Sequence, residues 1–173
     1  MHCPYCHGYE VKDQKIGILA NGNVGFGMVK LLQNWSVNLT LFTNGQSTLN
    51  DLEIKMLKDR DIKVVEDKID YFNHKNGKLE EIVFKNASIE PFSVLFARVP
   101  FEQKSDVPKS MGCEITDQGF IKIDEMQRTT IDGIYAAGDN SYGLRAVSVA
   151  IGAGTKAGAF INGFLIEEEF NSV

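Results

Sequence analysis

Residues 16–25 decide the fold of this chain, and they read Ile16-Gly17-Ile18-Leu19-Ala20-Asn21-Gly22-Asn23-Val24-Gly25. An apolar run leads directly into a glycine-rich turn, and a helical repeat of apolar residues follows from Phe26 to Trp35. A second apolar run, Leu39–Phe42, comes next. This order of strand, glycine turn, helix and strand is one βαβ unit, whose crossover is almost always right-handed. The segment therefore predicts a doubly wound α/β domain of the Rossmann-like kind.

The segments that follow extend this domain to about residue 97. Their apolar periods predict a helix at Leu52–Arg60 and strands at Ile62–Val65, Ile69–Asn73, Leu79–Phe84 and Phe92–Ala97. Asn76-Gly77 lies between two of these strands and is a strong signal for a hairpin turn. We therefore expect a nucleotide-binding domain at residues 1–97 with a small antiparallel insert.

Residues 98–173 form a second region. The polar stretch Glu102–Lys109 is predicted to be a loop, and Phe120–Ile123 and Ile134–Ala137 are predicted strands. From about Arg145 to Ile166 a helix is predicted that is rich in alanine and glycine. Each interior glycine costs about 1 kcal/mol of helix propensity relative to alanine. We expect another backbone or a flat ligand to approach this helix closely enough to offset that cost.

Composition excludes several classes of function. The 173 residues are 43% hydrophobic and 24% charged, which is typical of a folded globular protein. A net charge of -5 without a basic cluster argues against nucleic acid as a partner. No apolar run approaches the roughly 20 residues that span a bilayer, and the N-terminus lacks the features of a signal peptide. We expect a cytoplasmic protein that binds neither nucleic acid nor a membrane.

The N-terminal segment Cys3-Pro4-Tyr5-Cys6-His7-Gly8 is a candidate redox site. Two intervening residues let both sulfurs close one small disulfide ring, so one thiol can attack a substrate disulfide while the other resolves the product. His7 is the nearest group that could move the proton. The alternative is two incidental thiols or half of a metal site. Cys113 stands alone and the histidines lack paired spacing, so no metal site is expected.

The glycine turn is a candidate site for a dinucleotide pyrophosphate. In the G-x-G-x-x-G pattern the middle glycine admits the pyrophosphate and the last one packs the helix on the strand. Gly22 and Gly25 fill those places around Asn23 and Val24, but Ala20 takes the first. After the second strand, Thr43-Asn44 supplies neither the acidic residue that binds a ribose nor the arginine that binds the NADP phosphate. The turn either binds its nucleotide weakly, has stopped binding one, or is simply a tight turn.

A third candidate site is Gly138-Asp139, at the end of the predicted strand Ile134–Ala137. A carboxylate in this place can accept hydrogen bonds from the hydroxyls of a ribose or polyol, and the start of the following helix stabilises negative charge. The alternative is that Asp139 only caps a turn.

These three motifs, in this order, resemble the thioredoxin-reductase-like branch of the pyridine-nucleotide–disulfide oxidoreductases. The resemblance implies a homodimer in which NAD(P)H reduces FAD, FAD reduces the Cys-x-x-Cys disulfide, and the dithiol reduces a thioredoxin-like protein or a small disulfide. It also implies that Asp139 holds the flavin ribityl chain. Val147-Ser148-Val149 then stands at the flavin ring in place of Arg-Gln-Ala, and His7 replaces the usual aspartate. The sequence around Cys3 is more similar to bacterial reductase-like proteins and to fungal dithiol oxidases than to standard thioredoxin reductases. In the dithiol oxidases electrons flow from the dithiol to oxygen.

The sequence departs from the family pattern at Ala20, after Phe42, and at Val147-Ser148-Val149. Family chains also carry a flavin-binding segment before the Cys-x-x-Cys, whereas this sequence starts two residues before Cys3. We therefore expect residues 98–173 to be the C-terminal part of an FAD domain and the chain to be part of a larger reductase. The alternatives are a fragment of a dithiol oxidase or a truncated, non-catalytic domain that binds a nucleotide weakly or serves as an interaction module.

Overall fold

The computed structural model describes residues 1–172, and these residues form two compact units. The first unit is Met1–Val99, and the second begins at Pro100. The strands are β1 (Ile16–Leu19), β2 (Leu39–Phe42), β3 (Lys63–Val65), β4 (Ile69–Lys75), β5 (Lys78–Phe84), β6 (Ile89–Pro91) and β7 (Val94–Ala97). The helices are α1 (Pro4–His7), α2 (Gly22–Leu32), α3 (Asp51–Lys58), α4 (Val107–Ser110) and α5 (Val147–Asn171), and a 3-10 turn spans Tyr9–Val11.

A parallel sheet of order β3-β2-β1-β7 forms the centre of the first unit. β1 pairs in parallel with both β2 and β7, so it is covered by neighbours on each side. Central parallel strands are buried on both faces, and the side chains of Ile16, Ile18 and Leu41 accordingly have no exposed surface. The predicted doubly wound α/β fold is confirmed.

The antiparallel insert is also confirmed, and it forms a three-stranded sheet of order β4-β5-β6. Asn76 and Gly77 have φ angles of 51° and 77° at the tip of the β4–β5 hairpin. Positive φ at both residues is the requirement of the tight turn that Asn-Gly predicts. The sequence did not predict β6, a three-residue strand on the edge of this sheet.

The predicted strands of the second unit were wrong. Only isolated bridges occur there, Ile115 with Ile121 and Arg128 with Tyr135. A small apolar cluster around Cys113, Ile121 and Ala136 holds this region together without a ladder. The two apolar runs are partly buried, but no neighbouring backbone among residues 100–172 extends them into strands. The predicted loop Glu102–Lys109 also ends in the short helix α4.

Helix α5 is confirmed, and it is longer than predicted. Ala157 is buried on one face of this helix, while much of the helix is exposed. At Gly152, Gly154, Gly158 and Gly163 no described atom outside the adjacent helix backbone lies within 4 Å of the position that a Cβ would take. The close approach expected at these glycines is therefore not made within residues 1–172.

Helix α5 is relevant to the expectation that the protein does not bind a membrane. Among the described residues, α5 is the one helix long and apolar enough to cross a bilayer by length and composition. Its most apolar stretch of 18 residues has a mean hydropathy of 1.4, and 6% of that stretch is buried. One such helix is weak evidence, and the absence of a membrane partner stays an expectation.

Candidate functional site

The two N-terminal cysteines lie together at the surface of the first unit. Cys3 caps α1, whose first residue is Pro4, and Cys6 lies in its second half. The Cys6 thiol donates a hydrogen bond to the Cys3 sulfur, and the two Sγ atoms are 2.6 Å apart. Both are free thiols, Cys3 half-buried and Cys6 exposed. The geometry therefore brings the predicted redox pair into contact within reach of solvent.

Trp35 fixes the position of this short helix. Its ring lies edge-on to Tyr5, with ring centroids 5.8 Å apart. A side chain at Gly8 would lie 2.7 Å from the same ring, so only glycine lets the chain turn against Trp35 here. The backbone of Met1 exchanges hydrogen bonds of 2.8 and 2.9 Å with Leu95 and Ala97 of β7. The dithiol segment is thus held by β7 on its N-terminal side and by Trp35, in the turn after α2, on its C-terminal side.

The Cys6 thiol holds its proton more tightly than an ordinary cysteine does. The pKa of the Cys6 thiol is raised above its ordinary value, first by the hydrogen bond it donates to Cys3, then by desolvation, and then by the charges of Cys3 and Glu10. Cys6 is therefore the hydrogen-bond donor of the pair, and the Cys3 sulfur is the acceptor.

His7 and Cys113 lie apart from this pair. His7 Nδ1 is 4.0 Å from Glu10 Oε1, its imidazole is exposed, and the described structure records no hydrogen bond from it to either sulfur. Its acid/base role stays a prediction. Cys113 is 5% exposed in the second unit, where its sulfur lies 3.5 Å from Thr129 Oγ1. It packs as a small apolar residue in the cluster with Ile121 and Ala136.

The glycine turn after β1 is closed from within. Asn21 caps α2, and its side-chain oxygen accepts a hydrogen bond of 2.7 Å from the backbone N–H of Gly22. The same oxygen accepts hydrogen bonds from the backbone N–H and the hydroxyl of Thr48, at 2.9 and 3.3 Å. The Asn21 amide in turn donates to the carbonyl of Gln46 at 2.9 Å. These contacts tie residues 46–48 across the start of α2, and we call them the Asn21–Thr48 clasp.

Thr43 and Asn44, the candidate cofactor-binding residues after β2, are also engaged. The Thr43 side chain is buried, and its hydroxyl donates to the carbonyl of Gly45 at 2.6 Å. Asn44 has a φ of 53°, and its side-chain oxygen accepts a hydrogen bond from the backbone N–H of Ile69. Of the turn itself, Asn23 and Val24 are exposed while Gly25 is buried against Ala20.

Two charged residues next to this turn were missed by sequence reasoning. Glu66 follows β3, and its carboxylate accepts a hydrogen bond of 2.8 Å from the backbone N–H of Ser47. Lys68 places its Cε 3.7 Å from the position of a side chain at Gly45. Carboxyl ends of parallel strands meet at one edge of the sheet, so position directly after β3 was the signal that could have found Glu66.

The predicted flavin motif is open rather than closed. Gly138 has a φ of 93°, which only glycine adopts easily, and the Asp139 carboxylate next to it is exposed. The side-chain oxygen of Asn140 is buried without a hydrogen-bond partner in the described structure. Ala146 caps α5 without a side-chain hydrogen bond, and Val147 and Ser148 in the first turn are exposed. Val149 is half-buried. Free polar groups here fit a polyhydroxyl or phosphate-bearing ligand such as FAD.

The pattern of the pyridine nucleotide-disulphide oxidoreductases matches residues 10–154. The chain belongs to this family. Its members generally use FAD and NAD(P)H. Within residues 1–172 no group of three or more His, Cys, Asp and Glu side chains is placed to hold a metal ion.

Relatives and solved structures agree with the family. The chain is 27% identical to the thioredoxin reductase tcpT of Claviceps purpurea, over 91% of this chain and 52% of that protein. It superposes on the putative thioredoxin reductase TrxB of Bacillus anthracis with a TM-score of 0.86 at 30% identity, over 96% of this chain and 56% of that one. The structure of HlmI matches with a TM-score of 0.83 at 29% identity, over 99% of this chain and 54% of that one. The chain thus spans about half the length of the relatives it matches.

Proposed function

We propose that this chain passes electron pairs between a flavin and a disulfide or dithiol substrate through Cys3 and Cys6. The observation that carries the proposal is the 2.6 Å contact between the two Sγ atoms at the protein surface. A disulfide bond is about 2.05 Å long, so a movement of roughly half an ångström joins the dithiol and disulfide states. Cys6 is exposed and Cys3 is half-buried, so a second thiol or disulfide can reach the pair from solvent.

In the reducing direction, Cys3 is the nucleophile. The Cys6 thiol donates its hydrogen bond to the Cys3 sulfur, and that bond is the first cause of the raised pKa of Cys6, so we assign the attack to Cys3 and the resolving step to Cys6. The Cys3 thiolate attacks one sulfur of the substrate disulfide, and the other substrate sulfur leaves as a thiolate and takes up a proton. Cys6 then loses its proton and attacks the Cys3 sulfur, which releases the second substrate thiol and closes the Cys3–Cys6 disulfide. The substrate gains two electrons and two protons, and the protein dithiol loses the same.

FAD would return the disulfide to the dithiol, since when bound it supplies a carrier of electron pairs. By the family resemblance, Gly138 and Asp139 would hold its ribityl chain, with the first turn of α5 at the ring. The exposed Asp139 carboxylate and the unpartnered Asn140 oxygen support this role. What these residues do on their own is bind and orient polar groups of the ligand.

The reverse direction is a second candidate function, and the Asn21–Thr48 clasp favours it. In this direction a thiolate of a substrate dithiol attacks the Cys3–Cys6 disulfide, Cys6 leaves as a thiolate, and the second substrate thiolate resolves the mixed disulfide. The electrons would pass to the flavin and then to dioxygen. A protein working this way needs no nicotinamide nucleotide, whereas a truncated, non-catalytic domain would have no use for a paired surface dithiol.

We further propose a thioredoxin-like protein or a small disulfide or dithiol as the substrate, a homodimer as the assembly, and the cytoplasm as the location. Structural disulfides are rare in the reducing cytoplasm, where a pair that alternates between dithiol and disulfide can operate. Light scattering of the purified chain tests the dimer.

Reaction with a chromogenic aromatic disulfide tests the proposed function. Wild type should release two equivalents of chromophore and end as an intramolecular disulfide. Cys6→Ser should release one and keep the other as a stable mixed disulfide on Cys3, while Cys3→Ser should react more slowly. Cys113→Ser is the matched control, because a buried sulfur should not alter the stoichiometry. Fast reaction in Cys3→Ser with slow reaction in Cys6→Ser would reverse the roles, and a dominant Cys113 product would refute the proposal.

A further inference from the structure

We infer that the Asn21–Thr48 clasp closes the pyrophosphate site of the first unit, so that this domain does not take up a nicotinamide dinucleotide. The inference concerns a site other than the dithiol and goes beyond the function proposed above. A protein with inert cysteines could still have a closed turn, and a redox-active protein could have an open one. The inference about the turn and the proposed function can therefore be refuted separately.

The backbone N–H of Gly22 is the first reason. A pyrophosphate on a Rossmann turn is bound by backbone N–H groups at the start of the helix, where they point outward without partners. Here the N–H of Gly22 already donates to the Asn21 side chain at 2.7 Å. A ligand oxygen must displace that side chain, and with it the two bonds from Thr48.

The space beside Gly22 is the second reason. The middle glycine of the pattern lacks a side chain so that the pyrophosphate can approach the backbone. Gly22 has a φ of 53°, and the place where its Cβ would be lies 2.7 Å from Thr48 Oγ1. The opening left by this glycine is thus filled by a side chain of the same protein.

Charge and hydrogen bonding around the turn are the third reason. Glu66 places a carboxylate against Ser47, and a negative charge there opposes a pyrophosphate. Thr43 and Asn44 lie where the ribose or its phosphate would be bound. Their side chains already form hydrogen bonds with the backbone of Gly45 and of Ile69, respectively. Lys68 is the cation recorded beside Gly45, and by itself it offers a single contact to a phosphate.

Binding of NADPH and of NADH to the purified chain, each followed by calorimetry, tests the inference. Wild type should show no saturation below about 1 mM for either nucleotide. The double variant Asn21→Gly, Thr48→Ala removes the clasp, and it should bind at least about tenfold more tightly than wild type. Asn50→Ala is the matched control: it removes an asparagine cap from α3 of the same domain, and it should gain no binding.

Wild-type binding of NADPH tighter than about 100 μM would overturn the inference, and so would a folded double variant that gains nothing. Amide hydrogen exchange of wild type provides a readout that does not depend on any variant. The N–H groups of Gly22 and Thr48 should be protected in the free protein and unchanged by added NADPH. Unprotected exchange at Thr48 would show that the clasp is not formed in solution.

Discussion

Replacing Gly22 by alanine tests the clasp through protein stability. Gly22 has a φ of 53°, and its missing Cβ would lie 2.7 Å from Thr48 Oγ1 but 3.8 Å from Thr48 Cβ. A left-handed backbone costs an L-residue about 1–2 kcal/mol. The new methyl group also forces the Thr48 hydroxyl out of its hydrogen bond to Asn21, which costs about 0.5–1.5 kcal/mol. We expect Gly22→Ala to lower the free energy of unfolding by about 1.5–3.5 kcal/mol.

The same substitution should cost less when Thr48 is alanine. The offending hydroxyl is then gone, Thr48 Cβ is at ordinary contact distance, and only the backbone term of about 1–2 kcal/mol remains. A double-mutant cycle should therefore give a coupling of about 0.5–1.5 kcal/mol between the two positions.

Urea unfolding followed by tryptophan fluorescence measures this coupling. Trp35 is the only tryptophan of the chain and lies in the first unit, so its signal reports on the domain that contains the clasp. Gly27→Ala is the control in the same helix, because among the described residues no atom outside the adjacent helix backbone lies within 4 Å of its Cβ position, and the φ there is ordinary. It should be neutral or stabilise by up to about 1 kcal/mol. An equal cost of Gly22→Ala in both backgrounds would refute the reasoning.

Three further predictions concern the core, a helix cap and the dithiol. Phe42→Ala should lower the free energy of unfolding by about 3–5 kcal/mol. The Phe42 ring has no exposed surface, and its centroid lies 5.1 Å from that of the edge-on Phe92 ring. A loss below about 1.5 kcal/mol in urea unfolding would contradict this prediction. Asn50→Ala should lower the free energy of unfolding by about 1 kcal/mol, because it breaks the capping box with Glu53. Thermal unfolding measures the loss, and an unchanged midpoint would show that the cap contributes nothing to stability. Cys3→Ala should shift the pH profile of Cys6 alkylation to lower pH, because the hydrogen bond that raises the pKa of Cys6 is removed. A profile that stays in place or moves to higher pH would show that another contact raises the pKa of Cys6.

The α/β core was predictable because its signals are local. An apolar run, a glycine turn and a helical repeat at residues 16–32 dictate β1 and α2, and Asn76-Gly77 dictates the hairpin. The second unit was less predictable because a strand needs a neighbour as well as an apolar run. Phe120–Ile123 and Ile134–Ala137 are partly buried, yet only single bridges form there.

In the candidate site, too, the local contact was predictable from the sequence and the contact between distant residues was not. The contact of Cys3 with Cys6 follows from their spacing and was predicted. The contact of Asn21 with Thr48 joins residues 27 positions apart, and it depends on how the loop after β2 folds back over the turn. Sequence reasoning saw a weakened nucleotide turn at Ala20, but it had no means of seeing that a side chain fills the opening.

The central claim is that Cys3 and Cys6 form one reversible redox pair, and equilibration in glutathione buffers of graded potential tests it most directly. Each sample is quenched with acid, its free thiols are alkylated, and the peptides are mapped by mass. The account predicts a single two-electron transition between the Cys3/Cys6 dithiol and a Cys3–Cys6 disulfide, fully reversible, with Cys113 alkylated only after unfolding at every potential. A disulfide that includes Cys113, or glutathione adducts on Cys3 and Cys6 in place of a bond between them, would contradict it.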